Sequence, residues 1–235
     1  MEHTQTPLLE VSDLSVSFRM YGSGLEQRQL PVISSLSLRV LPGEILAVAG
    51  SSGSGKSLLA SAILGILPGN ATVSGALQFD GEPLTPERQA RLRGTEIALV
   101  PQSVAFLDPL MKVGAQADGH RKPRPTEARR ALFRQLGLPE QTERLYPFQL
   151  SGGMARRVLV STALLSEARL IIADEPTTAL DVSVQAQIIE LLKKLCEETG
   201  TAVILVTHDM GVIAETADRV AVMYAGRLAE IGPVE

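Results

Sequence analysis

The sequence predicts an α/β fold, and three features support that prediction. A glycine-rich stretch at residues 50–57 lies between a short apolar run and a longer apolar segment, which is the order strand, turn and helix. The apolar runs 170–173 and 202–206 each end in polar residues, as buried parallel strands do at their carboxyl ends. Ahead of the glycine-rich stretch, apolar and polar residues alternate over 8–18 and 32–40, which predicts antiparallel strands.

Length and composition bound the possible functions. A chain of 235 residues fits one domain, and its core must be mostly aliphatic because 45% of it is hydrophobic but only 3% aromatic. The net charge of −4 argues against nucleic acid as the main partner. The single cysteine, Cys196, suits a reducing compartment. The start does not resemble a signal peptide and no apolar run approaches the ~18 residues that span a bilayer, so any spanning part is expected from a partner.

The stretch GSSGSGKS at residues 50–57 matches the phosphate-binding pattern G-x-x-x-x-G-K-[ST] in full. Its glycines let successive backbone N–H groups converge on one anion, and the positive end of the following helix adds to the attraction. Lys56 is predicted to reach the β- and γ-phosphates, and the Ser57 hydroxyl to bind Mg²⁺. A plain Gly/Ser turn is the alternative, which the flanking strand and helix disfavour. The predicted nucleoside triphosphate site comprises Gly50, Ser51, Ser52, Gly53, Ser54, Gly55, Lys56 and Ser57.

Two adjacent acids follow the apolar run 170–173. Asp174 stands where a second Mg²⁺ contact is expected, at the carboxyl end of a buried strand that faces the phosphate loop. Glu175, the next residue, is placed to polarise water for attack on the γ-phosphate as a general base. Such acid pairs also occur in plain turns, but the apolar strand and the upstream phosphate loop favour a functional pair.

Two more polar residues end predicted strands, at the edge where open α/β sheets bind ligands. Gln102 follows the strand 96–100, and its amide could hold Mg²⁺ or the attacking water; a solvated loop residue is equally open from position alone. His208 follows the strand 202–206 and is predicted to contact the γ-phosphate, with a structural histidine as the alternative.

Two further features have both a structural and a ligand-binding interpretation. Phe18 lies in the first predicted strand, where it either packs in the core or offers a flat face to an adenine ring. Ser151, Gly152 and Gly153 begin a predicted helix that runs to about Leu165, so they either cap that helix or form a second anion site.

The remaining elements follow from turn and helix signals. Residues 103–150 contain several prolines and little strand signal, with one helical stretch over 126–136, and are predicted to form an inserted helical lobe. Further strand pairs are predicted at 71–81 and 220–231, and further helices at 85–93 and 183–197. A solvated helix face, rather than a lipid contact, is predicted for the basic residues Arg121, Lys122, Arg124, Arg129 and Arg130.

Six stretches occur together along the chain, and the series is far more specific than any one of them. They are GSSGSGKS at 50–57, Gln102, LSGGM at 150–154, LIIADEP at 170–176, ALD at 179–181 and His208. From about Leu8 onward, the chain thereby resembles the ATP-binding subunit of ABC transporters. The resemblance implies a P-loop NTPase fold of the ABC ATPase type, with a RecA-like core, an N-terminal antiparallel β-subdomain and an inserted helical subdomain. It implies one ABC ATPase domain over 1–235, with the β-subdomain and core in 1–102 and 166–235 and the helical subdomain in 103–165.

The resemblance also implies roles for the site residues. It implies a head-to-tail dimer that sandwiches two ATP molecules, each between the phosphate loop of one subunit and the Ser-Gly-Gly turn of the other. Ser151, Gly152 and Gly153 would then act on the partner's ATP, and Phe18 would stack on adenine, with Tyr21 as the second choice. The residues expected to act on the chain's own ATP and Mg²⁺ are Lys56, Ser57, Gln102, Asp174, Glu175 and His208. The expected Mg²⁺ ligands are Ser57, Gln102 and Asp174; the expected catalytic residues are Gln102, Glu175 and His208; Asp181, in ALD, joins the nucleotide-binding set.

More detailed resemblance indicates which group of ABC ATPases the chain is most similar to. Met154 stands where many ABC ATPases have Gln, and in this the chain is similar to the oligopeptide, dipeptide and nickel importers. LGILP at 64–68 with LYPFQLSGGM at 145–154 is more similar to the nickel and metallophore branch. Two departures from the group are expected: the sequence stops at Glu235 without the usual tail, as a short or a truncated member would, and the lobe between Gln102 and Ser151 is short. Other stretches similar to this group are 106–114, 171–188 and 205–227.

The resemblance therefore implies an ATPase subunit at the cytoplasmic face of the inner membrane, which powers a prokaryotic importer of peptides, nickel or metal chelates. The expected partners are two multispanning permease subunits, a solute-binding protein and a second ABC ATPase that is either a copy or a similar protein. The alternative is a soluble ABC-type ATPase in DNA repair or translation, but such proteins usually have paired cassettes or long inserted arms. A regulatory module without turnover would need a damaged Glu175 or His208, and both are present.

Overall fold

The structure is a computed structural model that describes residues 6–21, 27–119, 126–178 and 180–234. Within these ranges, no helix has the length and apolar character needed to cross a membrane. The strands, in chain order, are β1 Leu9–Tyr21, β2 Gln27–Val40, β3 Ile45–Gly50, β4 Ala71–Phe79, β5 Glu82–Pro83, β6 Ile97–Val100, β7 Leu170–Asp174, β8 Ala202–Val206, β9 Arg219–Tyr224 and β10 Arg227–Pro233. The α-helices are α1 Lys56–Leu64, α2 Pro86–Leu92, α3 Val113–Asp118, α4 Thr126–Gln135, α5 Gly152–Leu164, α6 Val182–Thr199 and α7 Met210–Thr216.

The larger sheet has six strands in the order β10-β9-β3-β8-β7-β6. Five of them run parallel, and β10 pairs antiparallel with β9 at one edge. Every residue of β7 and β8 is buried, as expected for strands that are covered on both faces. Because parallel strands end at the same edge of a sheet, Gly50, Asp174 and the residues that follow Val100 and Val206 come together there.

The smaller sheet is antiparallel, with the strand order β2-β1-β4-β5, and this confirms the fold predicted for the start of the chain. The alternation of the sequence gives it one buried face, which belongs to the same hydrophobic core as α1. The sheet therefore covers the helix that follows the phosphate loop. The buried residues of its first two strands are Leu9, Val11, Leu14, Val16, Ile33, Leu36, Leu38 and Val40.

Helix α2 closes the carboxyl end of α1. The buried side chain of Gln89 donates from Nε2 to the carbonyl oxygens of Ala62 and Ile63, at 2.8 and 3.1 Å. Arg93, just after α2, donates from Nε to the carbonyl oxygen of Leu64 at 3.1 Å. These contacts satisfy carbonyl groups that a helix end leaves without partners. They fix the far end of the helix whose first residue is the phosphate-loop lysine.

In the described part of the chain between β6 and β7 lie helices α3, α4 and α5 and three short 3₁₀ turns. Arg129 of α4 is buried and forms ion pairs with Asp118 and with Glu143, the latter at 3.0 Å. Arg130 pairs with the same Glu143 at 2.8 Å. The hydrogen bond from Arg130, with that from Arg129, outweighs burial and lowers the pKa of Glu143 to about 2. The predicted solvated face is therefore wrong for Arg129, because two acids from other elements take its charge into the interior.

The other three basic residues of that run, Arg121, Lys122 and Arg124, lie outside the described residues.

Gly65 ends α1 in a left-handed conformation, with φ of 64°. A Cβ added there would lie 2.4 Å from Oε1 of Gln89. We expect Gly65→Ala to lower the free energy of unfolding by about 1–3 kcal/mol, because the new side chain is strained in φ and displaces the helix-closing glutamine. Urea denaturation measures the change. The matched control is Gly69→Ala, where a Cβ would meet nothing within 4 Å; an equal loss in both variants would contradict the prediction.

Cys196 lies on the inner face of α6 and is 5% exposed. Burial, assisted by the negative charge of Asp218, raises the pKa of its thiol to about 12. Since the thiolate is the reactive form, we expect alkylation by iodoacetamide at pH 8 to be about a thousandfold slower in the native protein than in urea. Mass spectrometry over time measures both rates. Similar rates in the two conditions would show that the thiol is accessible in the folded chain.

Candidate functional site

The loop between β3 and α1 is shaped by glycines. Gly50, Gly53 and Gly55 have positive φ values of 151°, 77° and 102°. A Cβ on Gly50 would lie 2.2 Å from the carbonyl oxygen of Met223 in β9, so no larger residue fits. Gly55 is the N-cap of α1, and the helix starts at the next residue. The free N–H groups of the first helical turn therefore open at the mouth of the loop, where an anion can accept from them.

Lys56 is held across this loop by main-chain oxygens. Its Nζ donates to the carbonyl oxygens of Gly50 and Ser51, at 2.8 and 2.9 Å, and the residue is 8% exposed. The long lysine side chain is thus ordered at the loop instead of extending into solvent. A buried ammonium in this position suits a ligand with a dense negative charge.

Asp174 is the last residue of β7, and the Ser57 hydroxyl, in the first turn of α1, is one of the groups that favour its charged form. It is 7% exposed, and burial together with the charge of Glu175 raises its pKa, against the effects of Ser57, Lys56 and Arg156. A buried carboxylate that is only partly compensated is stabilised by a nearby cation. The hydroxyl and the carboxylate are oxygen donors of the kind that Mg²⁺ prefers.

Among the described residues there is no group of three or more His, Cys, Asp and Glu side chains that could enclose a metal.

Glu175 is the centre of a polar cluster at the same edge. Its Oε2 accepts from Nε2 of Gln102 at 2.8 Å and from the Thr178 hydroxyl at 3.2 Å, and its Oε1 lies 3.3 Å from Nδ1 of His208. Partial burial opposes ionisation, but the hydrogen bonds from Gln102, His208 and Thr178 outweigh it and hold the pKa of Glu175 below its usual value. The structure thus brings together the three residues that the sequence places at strand ends, and keeps the carboxylate charged.

Two residues of this region were missed by sequence reasoning. Thr178 follows Glu175 by three positions, a spacing that allows a hydroxyl to reach back across a turn, so its signal was present. Arg156 of α5 donates to the carbonyl oxygens of Pro101, at 2.7 Å, and Gln102. Nothing in the local sequence indicates the contacts of Arg156, because Arg156 and Gln102 are more than fifty residues apart.

The turn that opens α5 is exposed. Ser151 is the N-cap, and its hydroxyl accepts from the backbone N–H of Met154 at 3.3 Å. A Cβ on Gly152 would meet nothing within 4 Å, and one on Gly153 would lie 3.6 Å from Leu180. Within this chain the three residues therefore act as a helix cap, and they leave an open face toward solvent.

Asp181 and Phe18 both have structural roles in the chain. Asp181 is the N-cap of α6, where Oδ1 accepts from the Ser183 hydroxyl at 2.6 Å and from the N–H of Val184 at 3.0 Å. The Ser183 hydroxyl is the main cause of its lowered pKa. Phe18 is half-buried and packs against the core, which leaves part of its ring exposed. The side chain of Tyr21, the second choice for adenine stacking, lies outside the described part.

These features define a class of protein. The glycine-rich loop lies between the buried parallel strand β3 and helix α1 and contains an ordered lysine, so it is suited to binding a polyphosphate. The ionised Glu175, directly after β7, is suited to activating water. The chain is a P-loop nucleoside triphosphatase.

Comparison with known proteins identifies the family. The family model described as ABC transporter matches residues 33–178, more than half of the chain. The chain belongs to the ABC transporter family, as one of its ATP-hydrolysing cassettes.

Relatives and solved structures agree with this. The chain is 41% identical to the oligopeptide transport ATP-binding protein OppD of Bacillus subtilis, over 98% of its own length and 67% of that protein's. It is 43% identical to the protein of the same name from Mycobacterium bovis, over 96% of its length but only 38% of that protein's. A dimeric ATP-binding cassette, MJ0796, bound to ADP and Pi after hydrolysis, superposes with a TM-score of 0.85 at 26% identity and covers 97% of this chain and 99% of that chain. The predicted family and its fold are confirmed.

The hydrogen bond from Gln102 should be visible in the titration of Glu175. Because the pKa of Glu175 is lowered in the folded protein, its contacts stabilise the fold above the ordinary value of 4.5, and that contribution is lost as the pH falls through the folded pKa. Gln102→Leu removes a donor, so we expect the titration midpoint of Glu175 to rise, as followed by NMR of the side-chain carboxyl carbon. The control is Gln135→Leu on the exposed face of α4, which should leave the midpoint unchanged. An unshifted midpoint in Gln102→Leu would show that this bond does not hold the carboxylate.

Proposed function

We propose that the chain is the ATP-hydrolysing subunit of an ABC importer whose cargo is an oligopeptide. The observation that supports hydrolysis best is the ionised Glu175, held by Gln102 and His208 one residue beyond the buried Asp174. The support for an importer of peptides is the name of the OppD relatives. That name also disfavours a soluble role in DNA repair or translation.

Each side chain has a task in this proposal. The N–H groups of residues 50–57 and the Lys56 ammonium bind the β- and γ-phosphates. Ser57 and Asp174, with Gln102, would hold Mg²⁺, which when bound supplies positive charge to the phosphates. Glu175 accepts the proton of the attacking water, and its lowered pKa keeps it ionised for that task at neutral pH. His208, whose ring reaches Glu175, contacts the γ-phosphate.

The second half of the site comes from another subunit in this proposal. Ser151, Gly152 and Gly153 begin a helix at an exposed turn, with N–H groups and a hydroxyl available to an anion. We infer that they bind the ATP of a partner ATPase in a head-to-tail dimer, and that the partner is a similar protein or a second copy. Phe18 stacks on adenine with the exposed part of its ring, and Asp181 lies at the nucleotide through the start of α6.

We further propose that residues 103–165 act as a helical subdomain, distinct from the core and β-subdomain in 1–102 and 166–235. It transmits the state of the nucleotide from Gln102 to two permease subunits at the cytoplasmic face of the inner membrane. A solute-binding protein delivers the cargo.

In this proposal, the surfaces that select the cargo belong to other subunits. LGILP at 64–68 favours nickel or a metallophore, whereas the names of the relatives favour peptides. Uptake of a labelled oligopeptide and of labelled nickel by vesicles with the reconstituted transporter separates the two. We expect ATP-dependent uptake of the peptide alone; uptake of nickel alone would overturn the assignment of cargo but not that of the ATPase.

Replacement of Glu175 by Gln keeps the shape of the side chain and removes its basicity. We expect ATP turnover to fall by about a hundredfold or more while ATP binding persists, because only the proton acceptor is lost. The control is Glu190→Gln on the exposed face of α6, which should turn over ATP normally. Normal turnover in Glu175→Gln would contradict the assignment of Glu175 as the general base.

Lys56→Ala, by contrast, should lose nucleotide binding itself, measured by equilibrium dialysis.

A further inference from the structure

An arginine joins the helix that begins at the Ser-Gly-Gly turn to the main chain at Gln102. Arg156 lies on α5, five residues after Ser151, and is 7% exposed. Its Nη1 donates to the carbonyl oxygen of Pro101 at 2.7 Å, and its Nη2 donates to the carbonyl oxygen of Gln102. A single planar guanidinium thus bridges two successive carbonyl groups of the loop after β6.

This arrangement is specific to arginine. The two carbonyl oxygens match the fixed fork of the guanidinium, whereas a lysine ammonium is a single point on a flexible stem. Burial is unfavourable for the charge and lowers the pKa of Arg156, and the nearby carboxylates of Glu175 and Asp174 act in the opposite direction. The buried guanidinium is therefore stabilised by the carbonyl oxygens of Pro101 and Gln102 and by the carboxylates of Glu175 and Asp174.

The contacts form a continuous path through the chain. The exposed turn at 151–153 opens α5, α5 carries Arg156, and Arg156 holds the main chain of Gln102. The side chain of Gln102 in turn donates to Oε2 of Glu175 at 2.8 Å. The loop that carries Gln102 is thus fixed from one side by α5 and from the other by the carboxylate.

We propose that Arg156 is a positioning residue for ATP hydrolysis. It fixes the main chain of Gln102 against α5, so that the Gln102 amide stays in register with Glu175 and moves together with the turn at 151–153. This inference rests on the proposed function, because it assigns Arg156 to the hydrolysis for which Glu175 is the base.

Two substitutions separate positioning from charge. Arg156→Met removes both the charge and the fork, while Arg156→Lys keeps the charge and removes the fork. We expect kcat for ATP to fall by about ten- to hundredfold in both, because a misplaced catalytic group is costly even when it is present. The affinity for ADP, measured by equilibrium dialysis, should stay within about twofold of the wild type, because the phosphate loop is unchanged.

A double-mutant cycle gives the decisive readout. We expect Gln102→Leu to lower kcat, and the addition of Arg156→Lys to lower it little further, because both changes interrupt the same path. The matched control is Arg88→Lys: Nη1 of Arg88 also donates to main-chain carbonyl oxygens, those of Phe79, Glu82 and Pro83 at 2.9, 2.7 and 3.4 Å, but in the antiparallel sheet. This variant should keep the wild-type kcat. Thermal unfolding of each variant shows whether it is folded at the assay temperature, and if Arg156→Met is not, Arg156→Lys decides alone.

Two results would overturn the proposal. A near-normal kcat in Arg156→Lys would show that the charge alone suffices, and equal losses in Arg156→Lys and Arg88→Lys would show a general effect on stability. Both comparisons of kcat require a wild-type chain that hydrolyses ATP. If the wild type has no ATP turnover with its partners present, the proposed function fails first, and the two failures are therefore distinguishable.

Discussion

The rest of the site depends on the hydrogen bonds that the carboxylate of Glu175 makes with Gln102, Thr178 and His208. Its backbone N–H donates to the carbonyl oxygen of Val206 at 2.9 Å, so the residue is fixed between the ends of β7 and β8. Its side chain then collects Gln102, from the end of β6, and His208, from the end of β8. A parallel sheet makes this possible, because its strands deliver polar residues to one edge while their apolar parts stay buried. Removal of this one group would leave Gln102, Thr178 and His208 without their common partner.

The phosphate loop is held by elements that are far away in the sequence. The N–H of Gly226, in the turn between β9 and β10, donates to the carbonyl oxygen of Ser54 at 3.2 Å, and its own carbonyl accepts from the N–H of Ser34 in β2 at 2.9 Å. The edge hairpin thus lies between the loop and the antiparallel sheet. The buried face of the antiparallel sheet and helix α1, which follows the loop, also belong to one hydrophobic core.

The strand, loop and helix around residues 50–57 could be predicted from the sequence because their signals are local. The phosphate loop is one contiguous motif, and β8 was predicted at the bounds that the structure shows, since a short apolar run between polar residues has few other structures available. The short helices α3 and α7 were harder to predict from the sequence. Helix α7 is seven residues long and begins where Asp209 accepts from the N–H groups of Gly211 and Val212, a cap without a strong apolar period behind it. Helix α3, of six residues, gave no periodic signal at all.

Residues that depend on distant partners could not be predicted. Arg129 is buried because Asp118 and Glu143 reach it from other elements, and the sequence alone indicated an exposed charge. The contact from Arg156 to Gln102 has the same origin. In both cases the pairing is decided by how elements meet in space, and neither the composition nor the spacing of the chain records it.

In the proposed complex, a triphosphate binds to the main-chain N–H groups of residues 50–57 and is enclosed by the turn at 151–153 of a second ATPase subunit. The most direct measurement is a structure of the chain with its ATPase partner, ATP and Mg²⁺, with hydrolysis blocked. We expect the β- and γ-phosphates on the phosphate loop of one subunit, with the serine–glycine turn of the other within hydrogen-bond distance of the γ-phosphate. A nucleotide bound elsewhere, or a site completed without the second turn, would contradict it.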